Sequence, residues 1–480
     1  MATIDASVTA APLVTIEPWV FRELGQANFG DARLTGRALT LANDLAAHPD
    51  LSLASTYEGD WASLKASYRF LDNAAVTPAA ILAPHREATW DRSGQESWVL
   101  IAHDTSYFNY TSHPATQGLG PIERVNDQGL LVHIALTMTD QGVPIGIAAQ
   151  KIWTRDPADF GKSRQRKPRP FAEKESARWV EIAKEAASGV PDGTRAVMIG
   201  DRESDIYDVF VDAQSAPYDV LVRSARDRRI DHPTEDHLWG AVEAAEVLGT
   251  FVIDVPRKED HPIRQATLTL QTATVQLQIP HGREADGLGT PTVQIILAQE
   301  EDPPADTPPI VWILLTTLSV ATLEDARRLV RWYTYRWRIE RFHFILKTGG
   351  SNVEKLQLET YDRLARAIAL YSIIAWHILW MTYQVRLQAD QPCSIAFTAE
   401  EEHALRRLYE RQRPRKGPRS GPYDPHHRLT LREALHTMAK LGGFIGRKGD
   451  GDPGIKTLWR GYRELQLILL GMRLAKADQP

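Results

Sequence analysis

A segment near residue 340 constrains the fold most, because it combines a polar and an apolar helical face. With helical residues about 100° apart, four polar side chains share an arc of about 60°; they are Tyr333, Arg336, Glu340 and Lys347. The opposite side carries Ile339, Phe342, Ile345 and Leu346. The sequence predicts a helix buried on one side that presents a carboxylate between two cations and a phenol. Such a face suits a phosphate backbone near a metal ion, and a merely solvated polar face is the alternative.

Two aspartates follow apolar, strand-like runs upstream of this segment. Asp104 ends the run SWVLIAHD, and Asp201 directly follows RAVMIG. Since open α/β sheets build their sites at the carboxyl ends of strands, we expect both acids to converge with Glu340. A role as a cap or turn residue is the alternative for each aspartate, and Glu203 and Asp205 compete with Asp201 as the second acid.

Three convergent carboxylates imply a cation. Their mutual repulsion raises a pKa unless a positive charge offsets it. Hard oxygen ligands without a Cys or His cluster favour Mg²⁺ over zinc. The expected cofactor is therefore a pair of Mg²⁺ ions, for which Mn²⁺ substitutes.

Length and composition predict a multi-domain protein of a reducing compartment. A chain of 480 residues exceeds what one core usually organises. Its single cysteine, Cys393, excludes an internal disulfide and suits the cytoplasm. The N-terminal residues lack the basic start of a signal peptide. The apolar run 367–385 contains Ser372 and His377, which favours a buried core helix over a membrane span.

Charge is unevenly distributed along the chain. The net charge is −5, whereas residues 401–480 hold 17 Lys and Arg against 9 Asp and Glu, a local net charge of +8. Further basic clusters occur at 163–169 and 223–229. Solvated surface is the ordinary interpretation of such runs, and contact with phosphates is the functional one.

The chain divides into three predicted regions. Residues 1–78 form a helical domain with basic edges, marked by the pairs Arg33 and Arg37, and Lys65 and Arg69. Its helix around residue 65 places Trp61, Leu64, Tyr68 and Leu71 on an apolar face. Thr77 and Pro78 predict the start of the next helix, as its N-cap and first helical residue.

Residues 79–386 form the predicted α/β region. Strand-like runs lie near 97–103, 129–138, 144–153, 195–200 and 219–223. Period-two alternation within about 225–325 predicts an antiparallel β insertion. Residues 387–480 form a helical C-terminal domain with a loop or linker at 413–425. The stripe Leu458, Tyr462, Leu465 and Leu469, widened by Ile468 and Met472, must be covered, either by the preceding helix 429–441 or by a second subunit.

The order of these motifs resembles the DDE transposases of the IS-four group, close to the Tn-five type. The resemblance rests on the three acids, on DRESDIY at 201–207 and on the Y-R-E-K segment. Further matching segments are FGDARL, YRFLDNAAVTPAAI, EKES, VWILLT, LGGF and LWRGYREL. It implies an α/β fold with an RNase-H-like mixed-sheet core, flanked by helical N- and C-terminal domains.

The resemblance also implies a function and roles for residues. Asp104, Asp201 and Glu340 would hold the metal ions for cleavage and joining of DNA ends. Tyr333, Arg336, Lys347 and Arg202 would contact phosphates near the cleaved end. Trp312 would stack on a base extruded from a hairpin, and core packing is the alternative for this residue. Arg33, Arg37, Lys65 and Arg69 would contact the end repeat.

The resulting prediction is a cut-and-paste transposase that acts on inverted-repeat ends and on target DNA. It would work as a homodimer in its DNA complex, with the C-terminal stripe in the subunit interface. We expect a bacterial cytoplasmic protein that joins the nucleoid when bound and does not enter a membrane. The alternative is an RNase-H-like metal-dependent nuclease that cuts without strand transfer.

Overall fold

The computed structural model of the protein describes residues 16–48, 50–161, 169–255, 264–412, 427–447 and 450–477. Its helices are α1 (Pro18–Leu24), α2 (Ala32–Ala47), α3 (Leu53–Thr56), α4 (Trp61–Asp72), α5 (Pro78–Ser93), α6 (Arg178–Ala187), α7 (Tyr207–Ala213), α8 (Leu238–Glu243), α9 (Leu323–Thr334), α10 (Trp337–Phe344), α11 (Tyr361–Leu387), α12 (Ala399–Gln412), α13 (Leu431–Leu441) and α14 (Ile455–Ala477). The predicted linker at 413–425 and residues 163–168 of a basic cluster lie outside the described residues.

The strands join one mixed sheet. They are β1 (Trp98–Asn109), β2 (Gly120–Pro121), β3 (Gln128–Thr139), β4 (Pro144–Trp153), β5 (Arg195–Gly200), β6 (Tyr218–Arg223), β7 (Ile230–Asp231), β8 (Val247–Val255), β9 (Arg264–Leu277), β10 (Thr292–Glu300) and β11 (Val311–Thr316).

The central part of the sheet has the predicted RNase-H-like arrangement. β3 runs antiparallel to both β1 and β4, whereas β5 runs parallel to β1 and β6 parallel to β5. Apolar residues on both faces of β1, β3 and β5 are buried, as expected for strands covered on each side. The mixed α/β fold class is therefore confirmed.

The insertion extends this same sheet. β8, β9, β10 and β11 pair antiparallel in succession, and β11 then pairs antiparallel with β6. The predicted antiparallel β structure is confirmed here. Since β11 adjoins β6, the insertion places Trp312 on the strand next to the core.

The N-terminal helices pack onto the core through named polar contacts. Asp72 forms two hydrogen bonds with Arg363 of α11, and Arg366 donates to the carbonyl oxygens of Leu71 and Val76. The predicted helix start is confirmed, because Thr77 caps α5 and Pro78 occupies its first turn.

One predicted apolar face in this region was partly wrong. Leu64 and Leu71 of α4 are buried, whereas Trp61 is 71% exposed. Trp61 is the first residue of α4. It therefore lies at the free end of the helix, before the side that packs against the core begins.

The long helix α11 is a core element. It has the length and apolar composition of a membrane span, but 89% of its most apolar window is buried within the protein. Ser372 donates to the carbonyl oxygen of Ile368, and Trp376 donates to that of Pro144. Both bonds lie inside the fold, which agrees with the predicted core helix.

The C-terminal stripe is covered within the chain. Leu458, Tyr462, Leu465 and Leu469 are at most 3% exposed, and α14 packs against α13, α12 and α11. A Cβ atom at Gly461 would lie 2.1 Å from the carbonyl oxygen of Met438, so the helices cross where a side chain is excluded. Assigning these four residues to a subunit interface was therefore wrong.

Candidate active site

Asp104 lies where the parallel pairing of two central strands has just ended. The register of β1 with β5 stops at Ala102 and Ile199. β1 itself continues to Asn109, paired only with β3. The prediction that the strand ends at Asp104 was therefore wrong, although the acid does lie at the end of the parallel ladder. The backbone N–H of Thr105 donates to Asp104 Oδ1 at 2.8 Å.

Asp201 lies directly after β5, as its sequence position predicts. It caps the short turn 202–204, and the backbone N–H of Glu203 donates to its Oδ1 at 2.8 Å. Each aspartate is thus fixed by the N–H of a neighbouring residue. The two carboxylates leave adjacent strands at the same edge of the sheet.

The two aspartates interact electrostatically. Burial is the largest cause that raises the pKa of Asp104 from 3.8 to about 7, and the nearby Asp201 carboxylate is the second. The side chain of Asp104 is only 20% exposed. A buried acid that repels its neighbour is stabilised when a cation binds between them. Oxygen donors of this type fit Mg²⁺ or Mn²⁺.

Glu340 faces a different partner. Its Oε1 accepts from the guanidinium of Arg336 at 2.7 Å, and the glutamate side chain is 40% exposed. Within the described ranges, no three Asp, Glu, His or Cys side chains are grouped closely enough to hold a metal ion. The structure brings Asp104 and Asp201 together and holds Glu340 on Arg336.

The segment that carries Glu340 is not one continuous helix. α9 ends at Thr334, a tight turn at residues 335–336 follows, and α10 passes into a π-helical turn at Ile345–Gly349. The turn has N–H to carbonyl bonds three residues back, from Tyr335 to Trp332 and from Arg336 to Tyr333, so the α-helical hydrogen-bond pattern is interrupted there. The expectation of a single helix was wrong, whereas the apolar side is confirmed: Ile339, Phe342, Ile345 and Leu346 are fully buried.

Tyr333, Arg336 and Trp312 form one aromatic and cationic cluster. Tyr333 is 2% exposed and meets the Trp312 ring edge-on at a centroid distance of 5.4 Å. The Arg336 guanidinium lies 6.0 Å from the Tyr333 ring centroid. Trp312 is only partly buried in β11. Trp312 therefore packs on Tyr333 and remains partly accessible to solvent.

Arg223, which sequence analysis did not single out, completes this cluster. Burial lowers the pKa of Arg223, and the nearby Arg202 and Arg336 lower it further. Arg202 is exposed at the turn after Asp201. Arg223 is thus repelled by two neighbouring guanidinium groups, an arrangement that an anion would stabilise. The basic run 223–229 was visible in the sequence, but only the fold shows that Arg223 lies beside Tyr333 and Arg336.

Lys347 is engaged within the chain. Its Nζ donates to the carbonyl oxygen of Tyr107 at 2.6 Å and lies 3.4 Å from Glu354. The side chain is 29% exposed. Lys347 thus ties the π-helical turn to the end of β1 and lies close to the same edge of the sheet.

The structure separates the competing acids near Asp201. The side chain of Asp205 is fully buried, pairs with Arg228 at 2.7 Å and accepts from the backbone N–H groups of Ala225 and Arg226. These contacts give it a structural role. Glu203 is 56% exposed and pairs with Arg178 at 2.9 Å. Asp205 is thus withdrawn from the site, whereas Asp201 and Glu203 both act on Asp104, Asp201 more strongly; the choice of Asp201 as the second acid stays a prediction.

The predicted N-terminal contacts lie on the surface of that domain. The Arg33 side chain is 90% exposed and pairs with Asp31, which caps α2. Lys65 and Arg69 are exposed on α4, and Arg37 is partly exposed on α2. Their accessibility is compatible with DNA contact, which stays a prediction.

Two comparisons with known families cover the ends of the chain. A model described as Transposase DNA-binding matches residues 16–76, which contain α1 to α4. A model described as Transposase Tn5 dimerisation domain matches residues 373–479, from within α11 to the end of α14. On both sides of its RNase-H-like sheet the chain is thus similar to transposases, which are DNA-cleaving enzymes, in a DNA-binding region and in a dimerisation region. The second match is to the Tn5 type in particular.

Within the matched C-terminal region, α14 retains an exposed apolar face. Leu467, Leu470 and Leu474 are 47%, 51% and 59% exposed. Their spacing of three and four residues places them on one side of the helix. This side is distinct from the buried stripe and is available to a second subunit.

Proposed function

We propose that this protein is a cut-and-paste DNA transposase that cleaves transposon ends by metal-dependent phosphoryl transfer and joins them to target DNA. The observation that carries the proposal is the pairing of Asp104 with Asp201 at one sheet edge, where burial and mutual repulsion raise the pKa of Asp104. The DNA-binding match at 16–76 favours this function over a nuclease that lacks a specific end-binding domain.

Asp104, Asp201 and Glu340 would hold the expected pair of Mg²⁺ ions, or Mn²⁺ in their place. When bound, such ions activate an attacking water or 3′-hydroxyl and stabilise the leaving oxygen. Glu340 joins the site by leaving Arg336, its i, i+4 partner. This exchange is favourable when a phosphate replaces the carboxylate on the guanidinium, because Arg binds either anion in a fork geometry.

The cationic cluster would hold the DNA strand next to the acids. Arg336 and Arg223 would bind phosphate oxygens, with Arg202 at the exposed rim and Lys347 at the end of β1. Tyr333, which is buried, packs against Trp312 and Arg336. Trp312 would offer its exposed part to an extruded base, because unstacking a base costs a few kcal/mol that an aromatic face offsets. We propose that cleavage proceeds through a hairpin intermediate, in which Trp312 stacks on the extruded base.

Two copies would act together on two ends. Joining both ends of an element requires two active sites, which a symmetric dimer supplies. The exposed face Leu467, Leu470 and Leu474 would form the contact in the DNA complex, in place of the buried stripe. Each copy would bind one inverted repeat through its N-terminal domain, in the bacterial cytoplasm and on the nucleoid.

The test uses purified protein, Mg²⁺ and DNA that carries the inverted repeats flanking the coding sequence. We expect nicked, hairpin and joined products. Asp104→Asn, Asp201→Asn and Glu340→Gln should each reduce cleavage about 1,000-fold, the effect of losing several kcal/mol of charge stabilisation, while DNA binding persists.

Asp219→Asn provides the matched control. Asp219 lies near the N-terminal end of β6, away from the strand ends that carry Asp104 and Asp201, and pairs with Arg195 at 3.0 Å. Its replacement should therefore leave cleavage intact. Near wild-type cleavage by any of the three acid variants would remove that residue from the site. Cleavage without joined products would favour the nuclease alternative.

A further inference from the structure

Arg178, at the start of α6, connects the two strand ends that carry Asp104 and Asp201. Its Nε donates to Thr105 Oγ1 at 2.9 Å, and one terminal nitrogen donates to Glu203 Oε2, also at 2.9 Å. The other terminal nitrogen donates to the carbonyl oxygen of Glu175 at 2.9 Å. The three bonds use the planar fork of a guanidinium, which a lysine cannot reproduce.

The two side chains that Arg178 binds belong to the residues that fix the acids. The backbone N–H of Thr105 holds Asp104, and the backbone N–H of Glu203 holds Asp201, each at 2.8 Å. One guanidinium therefore contacts both supports. This symmetry distinguishes Arg178 from an ordinary partner of a single carboxylate.

A bridge is needed at this place because the backbone provides none. The parallel pairing of β1 with β5 ends at Ala102 and Ile199. Asp104 and Asp201 both lie beyond it. β3 still pairs with β1 at this point, and β6 pairs with the end of β5, but the β1–β5 register does not extend to the residues that carry the two acids. The link between these two residues is therefore made by side chains.

Arg178 itself is held firmly. It is 9% exposed, and its guanidinium carbon lies 5.9 Å from the Trp153 ring centroid and 5.5 Å from that of Trp179. Burial between aromatic rings limits its rotamers and keeps the fork in place.

Thr105 is also held from the other side. Because an Arg N–H can only donate, the Thr105 oxygen accepts from Arg178 and directs its own hydrogen to His133 Nδ1 at 2.8 Å. The Nε2–H of His133 then points to His103 Nδ1 at 3.2 Å. The chain of bonds from Arg178 into the core fixes the rotamer of Thr105.

We propose that Arg178 is a positioning residue that sets the separation of Asp104 and Asp201 for cation binding. This inference rests on the proposed function of the two acids. Arg178 touches neither acid directly in this arrangement. It acts through Thr105 and Glu203, and partners of this kind typically change metal affinity about 10- to 100-fold when they are replaced.

The experiment measures Mn²⁺ binding to the full-length protein by calorimetry, and cleavage as a function of Mg²⁺ concentration. Arg178→Lys should weaken Mn²⁺ binding at least about tenfold and raise the Mg²⁺ concentration for half-maximal cleavage by a similar factor. The rate at saturating Mg²⁺ should fall less, because excess cation compensates for a loosened pair. DNA binding should not change.

Arg283→Lys is the matched control. Arg283 is a partly buried arginine that pairs with Asp208 at 2.7 Å, away from the acids. A general loss of stability would affect both variants, whereas the proposed role affects Mn²⁺ binding only in Arg178→Lys.

Thr105→Val gives a second test should Arg178→Lys fail to fold. It removes the hydroxyl bridge and keeps the N–H that holds Asp104, so Mn²⁺ binding should weaken about tenfold. Wild-type Mn²⁺ affinity in Thr105→Val or in folded Arg178→Lys, with binding lost in Asp104→Asn, overturns the positioning role and leaves the proposed function intact. Unchanged Mn²⁺ binding in Asp104→Asn overturns both.

Discussion

Replacing Asp104 by Asn should stabilise the metal-free protein more at neutral pH than at acidic pH. Burial, and then the Asp201 carboxylate, raise the pKa of Asp104 from 3.8 to about 7. Between these values the unfolded chain is ionised, whereas folding requires the carboxyl group to take up a proton. The folded state therefore loses stability as the pH rises from about 4 to about 7.

The size of the effect follows from the shift. Each pKa unit corresponds to about 1.4 kcal/mol, so a shift of about 3 units costs about 4 kcal/mol above pH 7. Asn is neutral at every pH and does not carry this cost. Since the unit that unfolds is large, about 2 °C in Tm corresponds to each kcal/mol. Asp104→Asn should raise the Tm by about 8 °C at pH 8, and by roughly 3 °C at pH 5.

Thermal unfolding from pH 5 to pH 8 in the presence of a chelator provides the measurement. Asp72→Asn is the contrasting control, because hydrogen bonding to Arg363 lowers the pKa of Asp72. That carboxylate contributes stability above its unfolded pKa, so its replacement should lower the Tm at both pH values. A Tm difference for Asp104→Asn that stays constant or shrinks as the pH rises would refute the reasoning.

Two further predictions concern the DNA complex. Trp312→Ala should slow hairpin formation more than first-strand nicking, as followed on denaturing gels; equal loss of both steps together with a lower Tm would assign Trp312 to packing on Tyr333. Replacing Leu467, Leu470 and Leu474 by Gln should leave the Tm and single-end binding unchanged and abolish paired-end complexes on native gels. Paired-end complexes at wild-type levels would place the dimer contact elsewhere. The control is Leu465→Ala, which opens a cavity in the core and should therefore lower the Tm.

Sequence periodicity predicted the elements that depend on neighbouring residues. The strands near Asp104 and Asp201 follow from apolar runs, and the buried side of α10 follows from the spacing of Ile339 and Phe342. Periodicity does not state what covers an apolar face. The stripe around Leu465 was correctly expected to be buried, but the sequence could not decide between α13 and a second subunit. The structure assigns the stripe to intramolecular packing and leaves a different face exposed.

The local geometry of the Y-R-E-K segment was less accessible to sequence analysis. A uniform helical angle places Arg336 and Glu340 on one face but hides the turn at 335–336, since backbone angles there remain nearly helical. Asp104 presented the same difficulty. Its strand continues to Asn109 because β3 offers pairing partners after β5 has ended, and this depends on strand order rather than on local sequence.

Arg178 and Arg223 show why some residues at the site could not be recognised from the sequence. Neither lies in a motif with one of the acids, and each gains its position from contacts across the fold, Arg178 with Thr105 and Glu203. The acids Asp104 and Asp201 lie near the guanidinium group of Arg336 without being neutralised by it. Although Arg336 lowers the pKa of Asp104, burial and Asp201 outweigh that effect, because Arg336 is already paired with Glu340. Cations and anions at this edge thus do not neutralise each other fully. The ligands proposed for this edge therefore carry both charges, a metal ion at the acids and a phosphate at the guanidinium groups.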